Sequence, residues 1–373
     1  MGAVALILMF LHPKIIMKKI VLTGGGTAGH VTPNLALLPK LRELDYDITY
    51  MGSLDGIEKK LIADFDIPYY GVPVGKLRRY VDPKNLTDPF KVIKGYNEAR
   101  KYLKEIKPDV VFSKGGYVAV PIVRAAASLK IPCIIHESDL TPGLANKICI
   151  PKALKVCCNF PETMEKLPKD KAVLTGSPVR SELFTGNADK AFEMCKFTKD
   201  KPVIMVIGGS TGSVAINKAV RAALPELLKD FQLVHLCGNG RIDNMLLTTE
   251  GYAQFEYLKG ELKDVMAMSD IVISRAGANA ICELLALNKP NLLIPLSKAA
   301  SRGDQILNAN SFESQGFSMV LPEEDLDEIT LLTSVQELFE HKDQFKEAME
   351  KSSQINAIDK IIALIEDAVI NRP

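Results

Sequence analysis

Two glycine-rich turns carry the residue types best suited to phosphate chemistry: Thr23-Gly24-Gly25-Gly26-Thr27-Ala28-Gly29-His30 and Ile207-Gly208-Gly209-Ser210-Thr211-Gly212-Ser213. Each follows a short apolar run and opens a stretch of helical character. A strand, a glycine turn and a helix start aim backbone N–H groups and a helix dipole at one spot, which makes a phosphate cradle. His30 follows the first turn directly. A helix start there lowers its pKa and favours neutral imidazole, the form able to take a proton; packing under the loop is the plainer role. His136-Glu137-Ser138-Asp139 follows another apolar run and adds carboxylates at the same edge. In the second half, Ser274-Arg275-Ala276-Gly277-Ala278-Asn279 enters a helix holding Glu283, a carboxylate that can accept both ribose hydroxyls of a nucleotide. Its plainer role is a favourable acid near a helix N-terminus. Arg180, near the junction of the halves, is a cation suited to a diphosphate.

Other chemistries fit less well. Residues 24–29 satisfy G-x-G-x-x-G, but the acidic residue that a dinucleotide fingerprint needs at the end of the second strand is missing, since that strand ends Thr49-Tyr50-Met51-Gly52-Ser53. Asp45-Tyr46-Asp47 and Asp64-Phe65-Asp66 have D-x-D spacing, yet both precede strands, at the wrong end of a sheet for the ligand. The expectation is a mechanism without metal or cofactor, with helix dipoles and cations taking the diphosphate charge. Seven cysteines lie mostly in apolar runs without a C-x-x-C pair, and read as reduced core thiols. A net charge of +1 gives no support to a nucleic-acid partner.

These residues need rigid elements behind them. At 373 residues the chain is long enough for two domains, each with its own core. Strand-like runs fall at 19–23, 47–51, 110–112, 131–135, 154–158 and 172–175, with helical stretches at 33–43, 57–65, 90–106 and 121–129 between them. The second half repeats the alternation, with strands at 203–207, 232–236, 255–258, 271–274, 291–294 and 319–321 and helices at 214–228, 278–287 and 305–314. Such alternation predicts α/β architecture: two doubly wound, Rossmann-like domains with parallel sheets, facing each other across a cleft. The expected boundaries are 17–176 for the first domain and 177–351 for the second, with a final helix at about 352–373 packing back on the first. Residues 1–16 read as an N-terminal extension; their nine-residue apolar run is far short of the roughly 20 residues that span a bilayer.

The order and spacing of the motifs extend this reading. Residues 25–33 (Gly-Gly-Thr-Ala-Gly-His-Val-Thr-Pro), Gly115-Gly116-Tyr117-Val118, His136-Glu137 with Asn146-Lys147, Ser177-Pro178-Val179-Arg180, Gly208-Gly209-Ser210, the 274–278 segment with Glu283, and Asp304-Gln305 with Asn308-Ala309 together resemble the MurG family. These are UDP-N-acetylglucosamine:lipid I N-acetylglucosaminyltransferases of peptidoglycan synthesis. The resemblance implies the GT-B fold, with the donor UDP-GlcNAc held mainly by the C-terminal domain. It also implies inverting transfer of GlcNAc to the 4-hydroxyl of the muramoyl sugar of lipid I, giving lipid II. By similarity Thr27, Ala28 and Gly29 approach the donor, while Arg180, Ser210, Ala278, Glu283 and Gln305 hold its nucleotide and sugar. Tyr117, Asp139 and Asn146 fall to the acceptor, with His30 and Glu137 as the catalytic candidates. The chain departs from the common pattern at Asp139 and Ser177, where many members carry Asn, and at Arg302-Gly303-Asp304, where a His is frequent. Another GT-B transferase with a lipid acceptor, or a sugar-nucleotide binder without turnover, remains the alternative.

Residues 76–107 hold ten Lys/Arg and four Asp/Glu, a local excess of +6 in a protein whose total is +1. Leu77, Tyr80, Phe90 and Val92 are interleaved. A basic, partly apolar surface of this kind docks on anionic lipid, which suits a peripheral protein on the cytoplasmic face of the bacterial cell membrane.

Overall fold

The computed structural model describes residues 17–75, 84–209, 211–298 and 303–372, with side chains of the helix that starts at Lys84 described from Phe90 onward. The expected extension at 1–16 and the 76–83 part of the basic segment therefore lie outside the described residues. The described residues form two sheets, in each of which every strand pairing is parallel.

The first sheet has seven strands: β1 (Lys19–Thr23), β2 (Asp47–Ser53), β3 (Tyr69–Val72), β4 (Val110–Ser113), β5 (Cys133–Glu137), β6 (Lys155–Cys158) and β7 (Ala172–Leu174), in the order 3-2-1-4-5-6-7. Helices cover both faces, so the middles of its central strands (Ile20-Val21-Leu22, Val110-Val111-Phe112, Ile134-Ile135) are continuous apolar runs instead of alternating with polar residues. Because successive side chains point to opposite faces, Val21 packs with Ile122 and Val123 of the helix Ala119–Ser128. Ile20 and Leu22 pack on the other side with Leu37, Leu41 and the last helix, Ala357–Ile370, through Ile361, Ile362 and Ile365. That last helix is further tied to the first sheet by Lys18–Glu366 at 2.6 Å, by a Tyr46–Glu366 hydrogen bond and by Arg372–Asp109 at 3.0 Å.

The second sheet has β8 (Val203–Ile207), β9 (Gln232–Leu236), β10 (Tyr252–Phe255), β11 (Ile271–Ser274), β12 (Asn291–Leu293) and β13 (Met319–Val320), in the order 10-9-8-11-12-13. Val203 and Met205 face one core with Val265 and Ile281. Ile204 and Val206 face the other, with Ile216, Val220, Leu331 and Val335. The chain crosses between the sheets after β7 and returns before the last helix.

Three of the differences from the sequence expectation have a plain physical cause. β3 is an added strand; Tyr69-Tyr70-Gly71-Val72 is short and flanked by Pro68 and Pro73, so its pattern reads as a turn. β10 lies three residues before the expected 255–258, because register with β9 (Tyr252↔Leu233) sets this edge strand. The helix expected at 33–43 is split into Thr32–Ala36 and Leu38–Glu43. Pro39 lacks an N–H and its ring crowds the carbonyl four residues back, which breaks the hydrogen-bond ladder at Leu37.

Candidate functional site

β1, β4 and β5 are neighbours, so their C-terminal ends deliver three loops to one floor, the usual ligand side of an open α/β sheet. The first is the glycine turn at 24–26; the second is Lys114-Gly115-Gly116-Tyr117. Gly116 has φ +80°, and a Cβ there would lie 2.2 Å from the Gly25 carbonyl oxygen, so glycine is required for these loops to touch. Beneath the turn sits Glu58, fully buried, whose carboxylate accepts from the N–H of Gly26 (3.2 Å) and of Ser53 (2.9 Å) and from the Ser53 hydroxyl. The sequence reading passed over Glu58, which looks like an ordinary acid in a helical first turn.

Thr27 and Ala28 are exposed on the lip of the turn, and Thr27 Oγ1 shares a 2.9 Å hydrogen bond with His30 Nδ1. His30 ends a three-residue 3-10 turn rather than opening a long helix. Its pKa falls from 6.5 to about 4, by burial first and by the Lys114 cation second. The direction matches the expectation from the sequence; the cause is desolvation and a neighbouring charge. Tyr117 packs its ring against Gly26.

On the third loop, Glu137 accepts from the N–H groups of Asp139 (2.9 Å) and Gly143 (3.0 Å) and from Asn146 Nδ2 (2.8 Å). Both carboxylate oxygens are thus spent on shaping the loop. Asn146 is buried below it, donating also to the His136 carbonyl at 3.2 Å. Burial, then the charges of Glu137 and Asp304, pushes the Asp139 carboxyl up to about 6. Lys114 is a further residue the motif reading missed. Its Nζ is buried against His136 Nδ1 (2.7 Å), Ser138 Oγ (2.7 Å) and Ser177 Oγ (3.4 Å), and burial lowers its pKa to about 8.

The second domain faces this floor with the helix Ala278–Ala286, which starts where β11 ends. Asn279 Nδ2 donates to the Gly29 carbonyl at 3.0 Å, so the start of this helix touches the residue before His30. Ala278 is next to that contact. Glu283 projects from the same helix; burial raises its pKa, Arg180 opposes that and Glu182 adds to it. Arg180 pairs with Glu182 at 3.6 Å, and both line a pocket of about 450 Å³ with Leu183, Leu258, Lys259 and Leu262. Its guanidinium Nε is buried without a protein partner. Gln305, in the first turn of the helix Asp304–Ser314, accepts from the Leu296 N–H at 3.0 Å. Arg275 points into the domain, bonding Ser213 Oγ (2.7 Å) and the Ile294 carbonyl (3.0 Å) and pairing with Glu323 at 2.5 Å. Ser213 in turn caps the helix Val214–Asp230 behind the second glycine turn. Ser210 and Arg302 lie outside the described residues.

Outside the cleft, a groove of about 620 Å³ opens beside Tyr117, lined by Val92, Ile93, Tyr96, Val120, Leu144 and Ile148, with Arg124 and Lys152 at its edge. Ile93 and Leu144 of this lining are exposed, as is Phe90 on the same helix as Val92 and Ile93. Among the described residues no helix is long and apolar enough to cross a membrane.

Comparison with known proteins agrees with this geometry. Residues 20–158 match the glycosyltransferase family 28 N-terminal domain, and residues 203–365 the family 28 C-terminal domain. The UDP-N-acetylglucosamine–N-acetylmuramyl-(pentapeptide) pyrophosphoryl-undecaprenol N-acetylglucosamine transferase of Lachnospira eligens is 64% identical, over 94% of this chain and 99% of its own. The protein of the same name from Lachnoclostridium phytofermentans is 62% identical over the same shares. The crystal structure of Acinetobacter baumannii MurG superposes with a TM-score of 0.74 at 26% identity, covering 94% of this chain and 99% of that one.

The His30 environment has a direct readout. A histidine whose folded pKa is depressed adds stability that is present above its unfolded pKa of 6.5 and is lost as pH falls through about 4. NMR titration of ring-labelled histidine, assigned with His30→Gln, should therefore give a midpoint near pH 4 for His30. A midpoint near 6.5 would mean that the ring is open to water.

Proposed function

The chain belongs to glycosyltransferase family 28, among the UDP-N-acetylglucosamine–N-acetylmuramyl-(pentapeptide) pyrophosphoryl-undecaprenol N-acetylglucosamine transferases, and we propose that it performs that transfer with its cleft residues in the roles that follow. It is a UDP-GlcNAc-dependent enzyme of peptidoglycan synthesis with the GT-B fold. The acceptor is lipid I and the product is lipid II. The observation that carries the division of roles is the contact between Asn279 and Gly29, which joins the start of the donor-side helix to the loop bearing His30.

The nucleoside occupies the pocket beside Arg180, with the ribose hydroxyls donating to Glu283. The diphosphate sits over the second glycine turn, where backbone N–H groups and the capped helix Val214–Asp230 meet its charge. Gln305 and Ala278 flank the sugar. Thr27, Ala28 and Gly29 close the site from the other domain. The acceptor 4-hydroxyl attacks the anomeric carbon from the face opposite the diphosphate, so the new C–O bond forms as the bond to UDP breaks and the configuration inverts. His30, with Nδ1–H donated to Thr27, offers Nε2 to take the hydroxyl proton. Glu137 and Asn146 act on the reaction by shaping the loop that carries Asp139, while Asp139 and Tyr117 face the acceptor. No cofactor or metal is assigned a role.

The apolar groove beside Tyr117 and the basic 76–107 segment support a second component, docking on anionic lipid at the cytoplasmic face of the cell membrane. Exposed Phe90 and Ile93 enter the acyl boundary and the cations meet lipid headgroups.

Two experiments test these assignments. With radiolabelled UDP-GlcNAc and lipid I, label should pass into the organic phase and do so in excess EDTA, and His30→Ala should lower kcat by about 10²–10⁴-fold with UDP affinity kept. Label that stays aqueous in the parent sinks the transferase assignment; a near-normal kcat in the variant removes His30 from the chemistry. For docking, replacing Lys76, Arg78 and Arg79 with Gln should weaken binding to anionic vesicles by roughly 100-fold, from about 1 kcal/mol per cation. Equal binding by parent and variant would place the docking surface elsewhere.

A further inference from the structure

A lysine with no access to water needs a reason to be where it is, since burying an ammonium costs several kcal/mol unless it is well hydrogen-bonded. Lys114 is 1% exposed. Its Nζ has three acceptors: His136 Nδ1 and Ser138 Oγ in its own domain, and Ser177 Oγ in the segment that leaves for the other. His136 is itself fully buried, and its Nε2 meets the Gly176 carbonyl at 2.9 Å. With the Nε2 proton donated there, Nδ1 is left to accept from Lys114, so both ends of the imidazole are fixed. Lys114 and His136 thus grip consecutive residues of the outgoing crossing, 176 and 177.

That crossing is also where the returning chain passes. Gly176 has φ +77°, and a Cβ on it would lie 2.3 Å from the Gln354 carbonyl oxygen. The two interdomain segments therefore touch at the point that Lys114 and His136 hold. From there the connection continues into the second domain. The Ser177 backbone lies beside the buried Cys282, the neighbour of Glu283 on the helix Ala278–Ala286. One chain of contacts thus runs from Lys114 through Ser177 and Cys282 to the helix that carries Glu283 and Asn279.

We propose that Lys114 is a positioning residue that clamps the interdomain crossing to the cleft floor and so sets the angle at which the donor-side helix faces His30. Having no exposure, it acts through Ser177 and His136, and it is not assigned a contact with substrate. An ammonium suits this task because its three protons meet three acceptors from two separate segments. The inference deepens the transferase reading, and rests on it only for the activity readout.

Lys114→Met keeps the length and removes the donors. The seven native cysteines are all buried, so nitroxide labels can be placed at exposed Lys59→Cys in the first domain and Lys229→Cys in the second. Pulsed electron–electron resonance should give one narrow distance distribution for the parent background and a broader or displaced one for Lys114→Met. UDP affinity, measured by calorimetry, should stay within about twofold, while kcat for transfer falls at least tenfold. An unchanged distribution overturns the proposal whatever happens to kcat, and so does loss of UDP binding, which would mean a damaged site. If Lys114→Met does not fold, Ser177→Ala and Ser138→Ala decide the matter. Only the first cuts the tie to the crossing, so only it should alter the distribution; equal effects from both overturn the clamp. Distances and UDP affinity need no turnover, so failure of the clamp is distinguishable from failure of the transferase assignment.

Discussion

Gly25 and Gly116 bring two backbones so close that no side chain fits between them, and the cleft floor is arranged around that contact. It requires β1 and β4 to be adjacent parallel strands that end at one level, which their pairing from Ile20↔Val110 to Thr23↔Ser113 supplies. Glu58 then ties the first glycine turn to the end of β2 from below, accepting from the N–H groups of Gly26 and Ser53. With both turns held, His30, Tyr117 and Lys114 take defined places around them. The first domain thus presents its chemical groups on a rigid base before any substrate arrives, which lowers the ordering cost of assembling a reactive geometry.

Much of the charge near the cleft is structural. Glu58, Glu137 and Arg275 each use their polar atoms on backbone, hydroxyl or amide partners, and Arg275 also pairs with Glu323. Removing one member of such a set leaves the others unpaired in a poorly solvated place, which costs more than the intact set gains. The groups proposed to meet ligand are fewer: neutral His30, the raised carboxyl of Asp139, and Glu283 with Arg180 on the opposite side. This division separates residues that make the site from residues that work in it.

The fold was legible where local pattern and burial agree. β1, β8, β9 and β11 are buried on both faces around short apolar runs, and their limits match the sequence reading. Edge strands were less so, because β3 and β10 take their register from a neighbour. The glycine turns and His30 were legible because their chemistry is written in consecutive residues. Glu58, Lys114 and Asn279 were not. Their partners lie 32, 63 and 250 residues away at Gly26, Ser177 and Gly29, and no periodicity announces a contact that only the folded topology creates. The order of short motifs nevertheless carried the family, and relatives 62–64% identical along nearly the whole chain agree with it.

The central claim is that the donor nucleotide is held by the second domain at the helix Ala278–Ala286, with Glu283 on its ribose. Calorimetry of UDP binding to the parent and to Glu283→Ala tests this most directly. Loss of charge-assisted hydrogen bonds is worth about 1.5–3 kcal/mol, so the dissociation constant should rise by roughly 10- to 150-fold in a variant that keeps its melting temperature. An unchanged dissociation constant in the folded variant would contradict the account, leaving Glu283 as a partner of its own helix.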